Sequence, residues 1–547
     1  MKRKISLGIA AVILLFGFLA FKSAGEKYFD IAKSLDIFAT LFKEVNALYV
    51  DEVEPKKLIQ TGIQGMLESL DPYTDYIPEE NLEAFSILTT GQYAGIGALI
   101  GSINNKSVVT HPYENFPAYR AGLKVGDEFI SVDGKNVKGK PTSEISALLK
   151  GSPNSDLDLV VDRMGKSISF KIKREKIKIS NVVYQGIVDS GIGYIKLDDF
   201  TPGAAKEIEE AMISLKKQGV TKLIIDLRDN PGGLLYEAIN IVNLFIEKGK
   251  EVVATKGKVQ DWNKSYTTLN NPADTQIPIV VLTSGGSASA SEIVAGALQD
   301  YDRAVLIGQK TFGKGLVQTT RPLAYNGQLK VTTAKYYIPS GRCIQALDYA
   351  HRKNDGTVEK FSDSMKSAFK TKNGRTVYDG GGLDPDITVS SDLLGSAIIE
   401  LVRSGLVFDF ATKYSNEHAP ASNMRTFRLS DADYKQFELW LKDQKFTYST
   451  DLEKQAENLI AAAKTERYYD ELQASLTTIQ TKIGQNHSVY LSKFKNEIQQ
   501  ILEDEIAFHY SLDRGRAEIA LGRDKEIVEA KKILNDPAAY QKLLLPH

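Results

Sequence analysis

Pro278-Ile279-Val280-Val281-Leu282-Thr283-Ser284-Gly285-Gly286-Ser287-Ala288-Ser289-Ala290-Ser291-Glu292 decides the fold. A short apolar, β-branched run ends in small residues, and helical spacing then continues over 291–299. Such a run, bounded by a turn, reads as a strand buried on both faces. The same order recurs beside it: a strand over 222–227, the turn Asp229-Asn230-Pro231-Gly232-Gly233 and a helix over 234–247. Ala304-Val305-Leu306-Ile307 adds a third strand. Strand–helix–strand–helix–strand with apolar strands implies a parallel sheet covered on both faces. The residues after the first two strands then meet at the carboxyl edge of that sheet, where such folds build sites.

Outward from this core the texture changes at definite places. The alternating region spans 177–395. Before it, residues 86–176 break into short strands and glycine turns, with a helix over 142–150 that puts Ile145, Leu148 and Leu149 on one face. Residues 25–85 carry helical spacing through Ile31, Leu35, Leu41, Val45 and Leu48, then Leu58, Ile63, Met66 and Leu67. Residues 396–547 are helix-rich; Leu452, Ala456 and Leu459 mark one helix, Leu472, Leu476, Ile479 and Ile483 another. At the start, Met1-Lys2-Arg3-Lys4 is a basic head and residues 5–21 carry no charge. This is the pattern of an export signal, and it reaches the ~17–25 residues a membrane anchor needs. Cleavage sites at Ala24 and Ala20 are poor, with Lys22 and Phe18 at −3. The expectation is a signal-anchor within 1–24, head in the cytoplasm, and the rest in the cell envelope on the periplasmic or extracytoplasmic face.

Of 547 residues, 42% are hydrophobic and 25% charged, which excludes bulk disorder and a polytopic membrane protein. With 68 Lys+Arg against 69 Asp+Glu, no basic surplus recruits nucleic acid. The lone Cys343 excludes an internal disulfide and a Cys-rich zinc site. Asp198-Asp199 has no further ligand at metal-binding spacing, so no metal and no cofactor is expected.

Small neighbours leave the Ser289 hydroxyl accessible, and the following helix N-terminus offers N–H groups and partial positive charge to a developing oxyanion. Ser289 with Glu292 also fits the S-x-x-E capping box, a structural role. A nucleophilic serine needs a base. Of six histidines only His351 lies in the alternating region, in a loop that reads as solvated. Lysine is the other choice. Lys314 stands between Gly313 and Gly315, which permit close backbone approach, and near Phe312, Leu316 and Val317, which exclude water. As a base its amine must be neutral, several units below the ordinary ~10.4; an exposed turn residue is the structural alternative. Residues 308–315 nearly spell a phosphate-binding P-loop, but Gly315 replaces the required Ser or Thr and a strand follows. The Gly232-Gly233 turn ends the neighbouring strand; if its N–H groups and those near Ser289 point at one place they form a two-donor oxyanion hole, and an ordinary strand-to-helix turn is the structural alternative.

In combination these residues resemble the carboxyl-terminal processing proteases, serine proteases with a Ser–Lys centre and an inserted PDZ domain. The similarity covers about residues 30–395. It rests on Leu70-Asp71-Pro72-Tyr73-Thr74, Tyr93-Ala94-Gly95-Ile96-Gly97, 121–127, 225–233, 287–292, Phe312-Gly313-Lys314-Gly315 with Gln318, 332–342 and 381–386, in order. Leu383 departs from the pattern, where a β-branched residue is expected. The resemblance implies a multidomain α/β fold. A parallel-sheet protease core of the ClpP/crotonase type would carry an inserted PDZ-like β-domain and helical N- and C-terminal regions. It implies Ser289 as nucleophile, Lys314 as general base, Gln318 as its support, and Ala290 with Gly232 or Gly233 as oxyanion donors. It implies that Gly95, Ile96 and Gly97 hold a substrate's terminal carboxylate, with Ile145 and Leu149 lining an apolar pocket. Partners would be proteins or peptides with apolar C-termini. For residues 396–547, homo-oligomer formation, adaptor binding and packing on the core are all open. The rival reading is a non-catalytic, membrane-anchored PDZ scaffold on a degenerate core, and intact Ser289, Lys314 and Gln318 stand against it.

Overall fold

The computed structural model describes residues 28–546 except 354, 391–393, 445, 447 and 449. The expected signal-anchor lies outside the described residues; no described helix is long and apolar enough to cross a membrane. The chain divides into two compact units, 1–79 with 318–332, and 80–317 with 333–547.

The larger unit is built on a six-stranded sheet, in the order β1 (Val182–Asp189), β2 (Ile192–Leu197), β3 (Lys222–Asp226), β4 (Ile279–Thr283), β5 (Ala304–Gly308) and β6 (Ile387–Thr388). From β2 to β6 every pairing is parallel. β1 departs from the expected all-parallel sheet and pairs antiparallel with β2. Only Ser190 and Gly191 separate the two strands, and so tight a hairpin cannot return a chain parallel to itself. Side chains alternate across the sheet. Leu223, Ile225, Ile279, Val281 and Leu306 face one way, against helices α1 (Ala204–Lys217), α2 (Leu235–Asn243) and α3 (Ala290–Asp300). Ile224, Val280, Leu282, Val305 and Ile307 face the other, against C-terminal residues including Ile527, Ala530, Ile533 and Leu534. Each such side chain stabilises by about 1.5–3 kcal/mol when fully buried. Burial on both faces explains why β4 and β5 read as unbroken apolar runs.

The PDZ-like segment holds a five-strand antiparallel series, Ala98–Ile103, Lys106–Pro112, Glu128–Val132, Asp156–Arg163 and Lys166–Lys173. Gln92–Gly95 pairs with Glu175–Lys178 and closes the segment. Buried Arg174 donates to Leu148 O and Leu149 O, satisfying carbonyls at the end of helix Thr142–Leu149.

In the C-terminal region, α4 (Leu406–Glu417), α5 (Lys495–Leu521) and α6 (Lys525–Asn535) matter most here. α5 is broken at Ser511 and Leu512, the latter at φ 51°. Phe508 and Leu512 from this break pack with Val125 of the PDZ-like segment, and Asn104 Nδ2 donates to Asp409 Oδ2 at 2.5 Å. In the smaller unit, a helix over 28–48 and helix Pro55–Glu68 precede strand Asp75–Ile77, which interrupts the expected helical region and pairs with residues 328–330.

His509 on α5 is sealed between Thr412 Oγ1, 2.9 Å from Nε2, and Glu505 O, 2.8 Å from Nδ1. Burial lowers its pKa to about 4, and Arg516 adds to the effect. The unfolded chain, with a histidine pKa of ~6.5, then binds more protons between pH 6.5 and 4, so stability falls as pH falls through that window, by roughly 1 kcal/mol per unit. Denaturation midpoints measured from pH 7 to 4 should show this acid limb, and His509→Gln should reduce it, with His111, also lowered to about 4 by burial, keeping the rest. An unchanged limb would mean the ring is not held neutral.

Candidate active site

β3 and β4 lie side by side, and the turns that follow them are tied together. Ser287 Oγ donates to Leu227 O at 2.7 Å, Ser291 Oγ to Asn230 O at 2.9 Å, and Ser284 Oγ to Asp229 Oδ1 at 2.9 Å. Ala288 N–H donates to Asn230 O at 3.0 Å. These serines are structural. The Ser289 hydroxyl is not among these ties to the neighbouring turn; desolvation pushes the buried Tyr336 phenol up to about 12, and Ser289 beside it opposes this. Geometry thus separates Ser289 from its neighbours in the run. Ser289 sits at φ 56°, ψ −111°, a conformation that raises the energy of an L residue by about 1–3 kcal/mol and must be held by its surroundings.

Glu292 holds it. This carboxylate is fully buried, and its Oε2 accepts Ser289 N–H at 2.9 Å and Lys314 N–H at 2.8 Å. Its Oε1 accepts Thr311 Oγ1 at 2.6 Å and Gly313 N–H at 2.7 Å. Burial pushes the Glu292 carboxyl up, and these four donors oppose that. Two amides sharing one oxygen lie within ~6 Å of each other, so the backbones of Ser289 and Lys314 are brought together. The S-x-x-E motif is therefore a cap at one oxygen and a clamp on the lysine loop at the same oxygen. Gly313 and Gly315 act as expected: a Cβ on either would lie 2.3 Å from Ala346 Cβ or 2.5 Å from Gln345 N. Leu316 is buried, but Phe312 is 49% exposed and does not seal the lysine from water as expected. Its neighbours Thr311 and Gly313 are held inward by Glu292, while the Phe312 ring stays at the surface.

Gly232 lies at φ 96°, and a Cβ there would lie 2.7 Å from Ala288 O and 2.8 Å from Ala290 N. Only glycine permits this approach. Its own N–H donates to Asn230 Oδ1 at 2.9 Å, while Asn230 Nδ2 donates to Leu197 O. Of the two glycines left open by the sequence, Gly232 serves by close approach and its N–H is engaged by Asn230 within the turn. Ala290 N–H opens α3, where the first amides have no partner within the helix. Gln318 belongs to the smaller unit, where its Nε2 donates to Thr332 Oγ1 at 3.1 Å.

The PDZ-like segment carries a cavity of about 350 Å³ lined by Ile87, Tyr93, Ile96, Leu99, Ile100 and Leu149, among others. Ile145 does not line it; it is wholly buried in the segment's own core with Val109 and Phe129. Helical spacing placed Ile145 and Leu149 on one face, but the face that lines the cavity along the helix is Thr142, Ser143, Ser146 and Leu149, while Ile145 turns into the core. Gly97 has φ 74°, and the Tyr93 ring folds over Gly95. Burial pushes the Tyr93 hydroxyl up to about 12, and the backbone N–H groups of Ala98 and Gly97 oppose this.

Residues 191–350 match the model of peptidase family S41, and 108–163 match a PDZ domain. Residues 397–534 match the C-terminal helical domain of PDZ-proteases, and 20–81 match the N-terminal domain of the activating protease CtpB. A carboxy-terminal-processing protease of Bartonella bacilliformis is 40% identical over 321 residues, covering 58% of this chain and 73% of the relative. A CtpA-like serine protease of Staphylococcus aureus is 38% identical over 341 residues, covering 61% and 68%. Among solved structures, a photosystem II D1 C-terminal processing protease is 27% identical, with 64% and 92% covered and a TM-score of 0.34.

Glu292→Gln keeps the volume but turns an amide NH2 towards N–H donors. Breaking a buried, hydrogen-bonded charge in this way should lower stability by about 2–4 kcal/mol in chemical denaturation. A loss under ~0.5 kcal/mol, the range of an ordinary surface change, would show that the clamp does not hold the turn.

Proposed function

Since the chain belongs to the carboxy-terminal-processing proteases of peptidase family S41, serine proteases with a PDZ domain, we propose that it hydrolyses protein substrates through a Ser289–Lys314 dyad. The observation that supports this most is the single carboxylate oxygen shared by the amides of Ser289 and Lys314, which holds the serine's backbone beside that of the lysine loop. Neutral Lys314 takes the Ser289 proton as Oγ attacks the scissile carbonyl, then protonates the leaving amine and later activates water. Ala290 N–H and Gly233 N–H receive the oxyanion; one such donor contributes ~10²–10³ in rate. The family resemblance gives Gln318 the support of that lysine; within the smaller unit its Nε2 donates to Thr332 Oγ1.

Substrates enter by their C-termini. An added strand in the cavity beside Leu99 and Leu149 takes apolar terminal side chains, and the amides of Ile96, Gly97 and Ala98 take the carboxylate. The uncharged 5–21 segment supports anchoring in the membrane with the protease on the extracytoplasmic face. No observation favours the non-catalytic scaffold.

Ser289→Ala and Lys314→Ala should each abolish peptide cleavage while the circular-dichroism spectrum stays native; a fully active variant rejects the dyad. The parent's kcat/KM should rise between pH 6 and 9 as the base loses its proton, whereas a flat profile contradicts a lysine base. In fluorescence anisotropy, an apolar C-terminal peptide should bind and its amidated form should not. Equal binding of the amidated form would refute C-terminal recognition.

A further inference from the structure

Residues 396–547 are the part of the chain to which the reaction assigns nothing, yet they reach the turn that carries Gly233. β3 ends on Asp226, which is wholly buried. Its carboxylate accepts from Tyr194 Oη at 2.6 Å and from Arg228 Nε and Nη2 at 3.0 and 2.6 Å. Burial resists ionisation of Asp226, but the Arg228 and Lys196 charges and these hydrogen bonds outweigh it and hold the carboxyl well below the usual range. Asp226 thus takes one edge of the guanidinium. The remaining nitrogen, Nη1, donates to Asp524 Oδ2 at 2.7 Å and Glu526 Oε2 at 3.2 Å.

Asp524 does two things with two oxygens. Oδ1 accepts Ile527 N–H at 3.0 Å and caps α6, and Oδ2 holds Arg228. α6 is itself fixed, since Ile527, Ala530 and Leu534 are buried against the sheet's second face. The residues immediately after Arg228 are Asp229, Asn230, Pro231, Gly232 and Gly233, and Asn230 O is the acceptor that ties the Ser289 turn down through Ala288 N–H and Ser291 Oγ. A displacement of Arg228 therefore moves both sides of the site, and misplacement of ~1 Å in such a constellation lowers rates by up to ~10².

We propose that Asp524 and Glu526 are positioning residues of the peptidase centre, holding Arg228 by its Nη1 end and so fixing the 229–233 turn that presents Gly233 N–H beside Ser289. The C-terminal helical region is then part of the catalytic apparatus. This rests on the reading of Ser289 as nucleophile, and the two fail differently: an active Ser289→Ala removes that reading, whereas an inactive Ser289→Ala with an unimpaired carboxylate variant removes only this inference.

The test uses the full chain and Asp524→Asn combined with Glu526→Gln. Asparagine still caps a helix, so α6 keeps its start while Arg228 loses both charges. Asn535→Ala is the control: it removes the contact of the same helix with Lys222 Nζ, at 2.9 Å, without touching Arg228. With kcat normalised to the folded fraction, the double variant should lose at least fivefold in kcat with KM within twofold. Its affinity for a peptide boronate, which mimics the tetrahedral oxyanion, should fall by the same factor as kcat/KM, while Asn535→Ala keeps parental values in all three. If the double variant does not fold, Glu526→Gln alone should show the same split in smaller measure. Parental kcat in a folded variant, or an equal loss in Asn535→Ala, would overturn the proposal.

Discussion

One oxygen of one buried carboxylate governs this site. Glu292 Oε2 accepts the amides of Ser289 and Lys314 at once. A buried carboxylate is tolerated only when donors surround it, so the need to satisfy Glu292 draws the lysine loop onto the N-terminus of α3. The same bonds hold Ser289 in a backbone conformation that would otherwise relax. Glycines at 232, 313 and 315 are the steric counterpart, since a Cβ at any of them would meet backbone or Cβ atoms at 2.8 Å or less. The site's precision therefore comes from backbone packed on backbone, with very few side chains in between.

The sheet supplies the platform. β3 and β4 deliver their turns to the same edge because they are parallel neighbours, and the alternation of their side chains commits one face to α1–α3 and the other to C-terminal helices. The PDZ-like segment is joined to those same C-terminal helices through Val125, Phe508 and Leu512 at the break in α5. Within this compact unit, C-terminal residues thus touch the groove-bearing segment, the back of the sheet and, through Arg228, the approach to the oxyanion turn.

Much of this was legible because its signals are local. An apolar run followed by small residues and helical spacing announces a strand, a turn and a helix, and the two turns at 229–233 and 284–289 fell where parallel strands put them. What stayed hidden is non-local. That Ser284, Ser287 and Ser291 are bonded to the neighbouring turn, leaving Ser289, depends on contacts about 60 residues apart in the chain. The S-x-x-E signature promised a cap and could not disclose that the same oxygen reaches Lys314. Helical periodicity identified an apolar face at Ile145 and Leu149 but not that the core would take Ile145 while Leu149 joins Thr142, Ser143 and Ser146 along the cavity. Gly232 and Gly233 are indistinguishable by composition, and only the Asn230 side chain separates them. Asp524 and Glu526, charged residues in a polar helix, carried no signal at all until Arg228 was seen between them.

The most direct test is to trap the acyl-enzyme. A slowly deacylating peptide ester mixed with the enzyme and quenched in acid should leave one acyl mass on the intact chain, mapping to Ser289, and none after Lys314→Ala. An acyl group on any other residue, or steady turnover with no adduct on Ser289 at any quench time, would contradict the account.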